Sequence, residues 1–208
     1  MSMQKEFDHI GEAMKHEWEN DAYNQDVWEL MIRVPEDLEG CLRGLEETAQ
    51  AGSTLAAICL ADILFIGQHG ASRDVAEAIR WARYAAQQGS IEGGFQLAEY
   101  LEEVQDLKEA EKEYIKVAMR GYSPAMYRLA RKYWSGRFSP KRKDESTWYF
   151  QEAIRSGHLF ARADFAKLKR AGNFGFWGRL EGILDFFLLI IPMAMMWYRY
   201  PAGDLLRR

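Results

Sequence analysis

Cysteine is scarce in this 208-residue chain: only Cys41 and Cys59 occur, far apart and each among small apolar residues. Two such residues exclude a disulfide framework and a paired-cysteine metal motif, and their surroundings predict buried thiols. The opening stretch, MSMQKEFDHIGEAMKHEWEN, has no apolar core of the secretory type, so the N-terminal part is expected to stay in the cytoplasm. Also missing are a nucleophile elbow and a glycine-rich phosphate cradle. These absences argue against an enzyme and against a bound cofactor. The four histidines are His9, His16, His69 and His158. On a helix, His9, Glu12 and His16 share one face, as a metal site would need. The solvated face of a terminal helix explains them equally well, so no metal is expected. Asp8 and Glu17 suggest a carboxylate pair, but acidic residues crowd this whole half of the chain.

What the chain does have is apolar material and an uneven charge. Apolar residues make up 48% and charged residues 28%, which fits a folded globular or solenoid protein rather than disorder. The net charge of −4 hides a division. Residues 1–118 hold 24 acidic and 10 basic side chains, and residues 119–208 hold 7 and 17, a net −14 against +10. The basic half suits phosphates, anionic lipid or an acidic partner.

The stretch EAIRWARYAAQQG, residues 77–89, has relatives in EAEKEYIKVAMRG (109–121) and ESTWYFQEAIRSG (145–157). Anchoring on the glycine gives Gly52, Gly89, Gly121 and Gly157, spaced by 37, 32 and 36 residues. A small residue follows at +4 each time: Ala56, Gly93, Ala125 and Ala161. A large apolar residue and an alanine follow at +8 and +9: Leu60–Ala61, Leu97–Ala98, Leu129–Ala130 and Phe165–Ala166. The glycine reads as the left-handed C′ position that ends one helix. The +4, +8 spacing marks one face of the next. One hairpin cannot bury both its faces, so such units must stack into a solenoid.

This pattern resembles the Sel1-like repeat family, relatives of the tetratricopeptide repeats. Ala56, Leu60–Ala61 and Leu64-x-x-Gly67 match the first helix of a family unit; Asp74-x-x-Glu77–Ala78, Trp81, Ala85–Ala86 and Gly89 match the second. A later unit has Ala125, Leu129–Ala130, Tyr133-x-x-Gly136, Trp148–Tyr149 and Gly157. Trp81, Trp148 and Tyr149 fall at repeat positions and are expected to be packing residues. The chain departs from the family in two ways. The family's glycine after the leucine is alanine in all four copies, and the middle unit, EEVQDLKEAE, lacks the glycine-containing loop. The resemblance implies an all-α, right-handed α-solenoid of helix hairpins over residues 35–172, and a protein-binding role. Residues 1–34 are expected to be capping helices, 173–182 a connector and 201–208 a tail.

Residues 183–200, ILDFFLLIIPMAMMWYRY, break from this composition. As a helix, the 16 residues from Ile183 to Tyr198 would extend about 24 Å, short of the roughly 30 Å hydrocarbon core. Asp185 and Pro192 are unusual within it, and aromatics flank both ends: Phe174, Phe176 and Trp177 before, Trp197, Tyr198 and Tyr200 after. The segment, with Asp185, Phe186, Phe187, Pro192 and Trp197, is expected to anchor the chain in a membrane, by spanning or re-entering it. Alternatives are insertion into a membrane-embedded partner, or folding back as the last solenoid helix. That last option would leave a helix hydrophobic all round where a polar outer face is required.

Two surface sets remain. The loop GRFSPKRKDE offers Arg137, Lys141, Arg142 and Lys143 to anionic lipid headgroups. The polar residues of the first helices, Asp62, Gln96, Glu99, Arg128, Arg131 and Lys132, are the candidates for binding a partner on the concave face; their sign runs from acidic to basic. Nucleic acid is not expected, because no basic and aromatic platform is interleaved. The reading is a membrane-associated, protein-binding adaptor on the cytoplasmic face, anchored at its C-terminus. The alternative is a non-catalytic accessory subunit docking its apolar tail on a membrane-embedded enzyme or transporter.

Overall fold

The structure is a computed structural model that describes residues 20–138 and 142–199, with the backbone alone for residues 191–193 and 195–199. His9, Glu12, His16, Asp8, Glu17 and Lys141 therefore lie outside the described residues, as do the side chains of Pro192 and Trp197.

Ten α-helices follow one another, with no strand among the described residues: α1 Asn24–Arg33, α2 Leu38–Gln50, α3 Thr54–Ile66, α4 Val75–Gln87, α5 Ile91–Glu103, α6 Leu107–Met119, α7 Ser123–Ser135, α8 Lys143–Arg155, α9 Leu159–Arg170 and α10 Gly175–Arg199. Seven of them, α2 to α8, have 13 residues each. Equal lengths let each hairpin present the same face to the next, and every helix packs on its sequence neighbour. The result is an all-helical solenoid in which α3, α5, α7 and α9 are the first helices of successive units.

The junctions follow the sequence rule. Gly52, Gly89, Gly121 and Gly157 have φ of 113°, 94°, 89° and 83°, the left-handed region where a side chain is disfavoured. The residue after the glycine then starts the next helix. Ser53 Oγ accepts from Ala56 N–H, and Ser90 Oγ accepts from Gly93 N–H, satisfying donors the helix leaves orphaned. The middle unit shows how the missing loop is replaced. Gln105, with φ 65°, stands in the left-handed position that glycine holds elsewhere, and Asp106 N–H returns to Leu101 O at 2.9 Å. The hairpin turns tightly without the longer loop.

Small residues sit where helices approach. Ala56, Ala61, Ala98, Ala125, Ala130 and Ala161 are fully buried. A Cβ added at Gly93 would stand 2.6 Å from Ala85 Cβ, closer than two carbons can approach. Two sequence expectations need correction. Trp148 is 53% exposed rather than packed, edge-on to Tyr149. Cys59 is half-buried, whereas Cys41 is buried as expected, and burial pushes its thiol pKa up.

The C-terminal region departs further from expectation. The stretch 173–182 is no connector from Gly175 onward, because α10 runs unbroken from there into the apolar segment. α10 folds back antiparallel on α9. Gly182 meets the backbone of Ala166 and Arg170 so closely that a Cβ would stand 2.6–2.7 Å from it, and Leu189 is buried with Leu159 and Ala166. The membrane-spanning expectation finds no support: among the described residues no helix is long and apolar enough to cross a membrane.

Candidate functional site

Two features stand apart from routine packing: the polar ladder along the first helices and the outer face of α10.

The ladder begins between α3 and α5. Tyr100 Oη donates to Asp62 at 2.7 Å, and Gln96 Nε2 donates to Ile58 O at 3.3 Å. Between α5 and α7, Arg128 pairs with Glu99 at 2.6 Å, and Lys132 pairs with Glu102. Between α7 and α9, Tyr127 Oη donates to Asp164 at 2.8 Å, while Arg131 stands 3.6 Å from the same carboxylate. The structure thus brings all six predicted partner-binding residues onto the first-helix face but uses most of them to tie one unit to the next. Gln96 is buried outright. Burial raises the Glu99 carboxyl pKa despite the opposing Arg128 charge, and burial with the Asp164 bond pushes Tyr127 up to about 12.

At the C-terminal end the ladder opens. A cleft of about 370 Å³ lies between α7 and α9, lined by Arg128, Arg131, Lys132, Trp134, Ser135, Phe150, Asp164, Lys167 and Leu168. Trp134 stacks on Phe174, with the Lys143 ammonium 5.3 Å from its ring. Lys167, Trp134 and Leu168 were missed by sequence reasoning. Lys167 lies one helical turn from Asp164, and that spacing was the signal available.

His158 sets the start of α9 and so the place of Asp164 and Lys167. Its Nδ1 accepts from Ala161 N–H at 3.1 Å, and its ring packs on Tyr127 at 4.6 Å. An accepting nitrogen carries no proton, and burial lowers the pKa from 6.5 to about 4. The folded state therefore resists protonation that the unfolded chain accepts. Stability from this group is full above about pH 6.5 and falls as pH drops toward 4, by a total of about 3 kcal/mol. Serine holds the same position before α3 and α5. His158→Ser is expected to flatten the pH dependence of the urea midpoint between pH 4 and 6.5 relative to the parent. Parallel profiles for the two proteins would contradict this role.

The basic loop is not the free lipid-facing patch expected. Arg142 Nη1 bonds Glu111 at 2.8 Å and its guanidinium lies over Tyr133. Arg137 bonds Gln105 at 3.0 Å and approaches Glu102. Both side chains are turned onto the solenoid itself.

α10 turns a narrow face with one carboxylate onto α9 and a broad apolar arc outward. The face against α9 carries Gly182, Asp185 and Leu189, spaced three and four residues apart. Lys169 bridges Asp185 at 3.3 Å and Glu181 at 3.1 Å. Asp185, an anomaly in an apolar run, is thereby explained. The outward arc carries Phe176, Trp177, Leu180, Ile183, Leu184, Phe187, Leu188 and Ile190, all exposed: Trp177 by 80%, Phe187 by 62% and Leu184 by 61%, against 2% for Leu189. The Arg170 guanidinium lies 4.4 Å from the Phe186 ring at the rim of this face, and Arg179 is anchored beside it on Arg170 O.

The repeat geometry agrees with comparison to known proteins. The family model of the Sel1 repeat matches residues 55–90 and 123–158. The chain carries Sel1 repeats. The stretch between the matches is the hairpin that turns on Gln105, so the same architecture persists where the signature has faded. Solved structures agree on the fold. A Sel1 repeat protein from Oxalobacter formigenes superposes with a TM-score of 0.59 at 21% identity, over 80% of this chain and 71% of its own. A sel1 repeat protein from Klebsiella pneumoniae gives 0.54 at 18%, over 93% and 99%. A protective antigen of uropathogenic Escherichia coli with an SLR fold gives 0.59 at 21%, over 70% of this chain. The chain spans about a third of that antigen's length, 32%. No curated protein matches the chain. Sel1 repeat proteins are protein–protein interaction scaffolds, typically non-catalytic, and the repeats imply protein partners. Among the described residues no group of three His, Cys, Asp or Glu side chains is placed to hold a metal ion.

Proposed function

We propose that this chain is a non-catalytic adaptor that rests on the cytoplasmic surface of a membrane through α10 and presents its repeat face to a protein partner. The observation that carries the reading is the inverted helix. Asp185, within its apolar run, is turned onto Lys169 of α9, and eight large apolar side chains are turned away from the protein.

An exposed apolar surface of this extent marks an interaction site. A bilayer surface suits it, because a helix seated in the interface buries one face about 5–10 Å deep and keeps cations at its edge. Arg170 and Arg179 stand in that edge position, and the C-terminal half of the chain carries the positive excess. A seated helix also needs less length than a spanning one. The accessory-subunit alternative would place the same face against a membrane-embedded protein.

Flotation of the full chain with vesicles of phosphatidylcholine and phosphatidylglycerol tests the reading. The protein is expected in the floating fraction, with weaker recovery on pure phosphatidylcholine. Recovery only at the bottom of the gradient, with or without anionic lipid, would reject the membrane seat.

A further inference from the structure

The ladder along the first helices is closed over most of its length and open at one end. Asp62, Gln96 and Glu99 are each held by a neighbouring unit. At α7 the supply of carboxylates runs short. Glu99 and Glu102 from α5 answer Arg128 and Lys132, but from α9 only Asp164 answers Arg131, at a loose 3.6 Å, and it already accepts from Tyr127. α9 then adds a further cation, Lys167, which is exposed and has no ion pair among the described residues. The cleft therefore carries surplus positive charge over a floor of Phe150, Leu168 and the Trp134 indole.

From this arrangement we infer that the cleft between α7 and α9 binds an acidic, extended segment of a partner protein. One carboxylate of the segment takes Arg131 from its weak pairing with Asp164, and a second meets Lys167. An apolar side chain beside them covers Leu168 and Trp134. The cations then act at a partly desolvated site, where a charge-assisted bond is stronger than on open surface. The apolar floor distinguishes a peptide from a free anion, which would use the cations alone. The inference rests on the adaptor reading for its partner and is independent of the membrane seat.

The test uses the full chain and fluorescein-labelled peptides of equal length in three forms. One is rich in Glu and Asp with interspersed Leu, one replaces the acids by Gln and Asn, and one keeps the acids but replaces Leu by Ser. Anisotropy titration is expected to show the first binding at least about tenfold more tightly than either other form. Arg131→Glu combined with Lys167→Glu should remove that binding, and Arg131→Gln with Lys167→Gln should weaken it by about tenfold with circular dichroism unchanged. Vesicle flotation of the same variants should be unaffected, which separates failure of the cleft from failure of the membrane seat. Equal binding of the neutral peptide, no binding by any form, or acidic-peptide binding that survives both double variants overturns the inference. So does loss of vesicle binding with peptide binding intact, which would make the cleft a lipid-headgroup site.

Discussion

Leu184→Glu combined with Phe187→Glu is expected to release the protein from anionic vesicles while leaving its helix content and thermal unfolding nearly unchanged. Both side chains are exposed on the outer arc of α10 and make no part of the buried core, so the repeat body loses nothing that holds it together. The loss falls on the membrane. Fully burying a leucine or phenylalanine side chain contributes about 1.5–3 kcal/mol, and a carboxylate placed at the same depth adds a desolvation cost of its own. Two such changes should lower vesicle affinity by at least about a hundredfold. Arg170→Gln with Arg179→Gln should act more mildly, by about 1 kcal/mol per charge, and only on anionic vesicles. Undiminished flotation of the double glutamate variant would mean that the outer arc is not the contact.

The second large effect concerns the stacking of units. Ala98 and Ala130 are fully buried at equivalent positions in consecutive first helices. Beside Ala130, Ser146 Oγ donates to its carbonyl at 2.6 Å, which fixes α8 close against α7. Leucine in place of either alanine adds volume where no gap exists, and overpacking of this kind costs about 1–3 kcal/mol. In a protein of this size each kcal/mol lowers the melting temperature by about 2–4 °C. Ala98→Leu and Ala130→Leu lie one unit apart, so their costs should approximately add. An unchanged melting temperature in both single variants would show that the repeat register is not the one described.

How far the sequence led is clearest at these positions. The glycine junctions were legible because a left-handed residue after a helix restricts the side chain severely, and the small residues because close helix approach tolerates nothing larger. Gln105 was not legible, since the turn it makes uses a backbone state that its type seldom adopts. The six polar residues of the first helices were legible as one face. Their mutual pairing was not, because contacts such as Tyr100 to Asp62, 38 residues apart, depend on how each unit is rotated on the last. The apolar run in α10 was conspicuous, but its hydropathy says nothing about which way the helix turns. Asp185 looked like a flaw in a membrane segment until Lys169 supplied its partner. The orientation was decided by Gly182, whose missing side chain lets α10 lie directly on α9.

The membrane seat is tested most directly by spin labels placed singly along α10, from 176 to 190, in protein bound to anionic vesicles, with collisions measured against oxygen and a water-soluble nickel chelate. A helical period is expected: labels at 176, 180, 183, 187 and 190 favour oxygen, all at similar shallow depth, whereas labels at 185 and 189 are shielded from both reagents by α9. Immersion that deepens steadily along the helix would make it an inserted segment, and preference for the nickel chelate at every outward position would leave the apolar face in water and contradict the central claim.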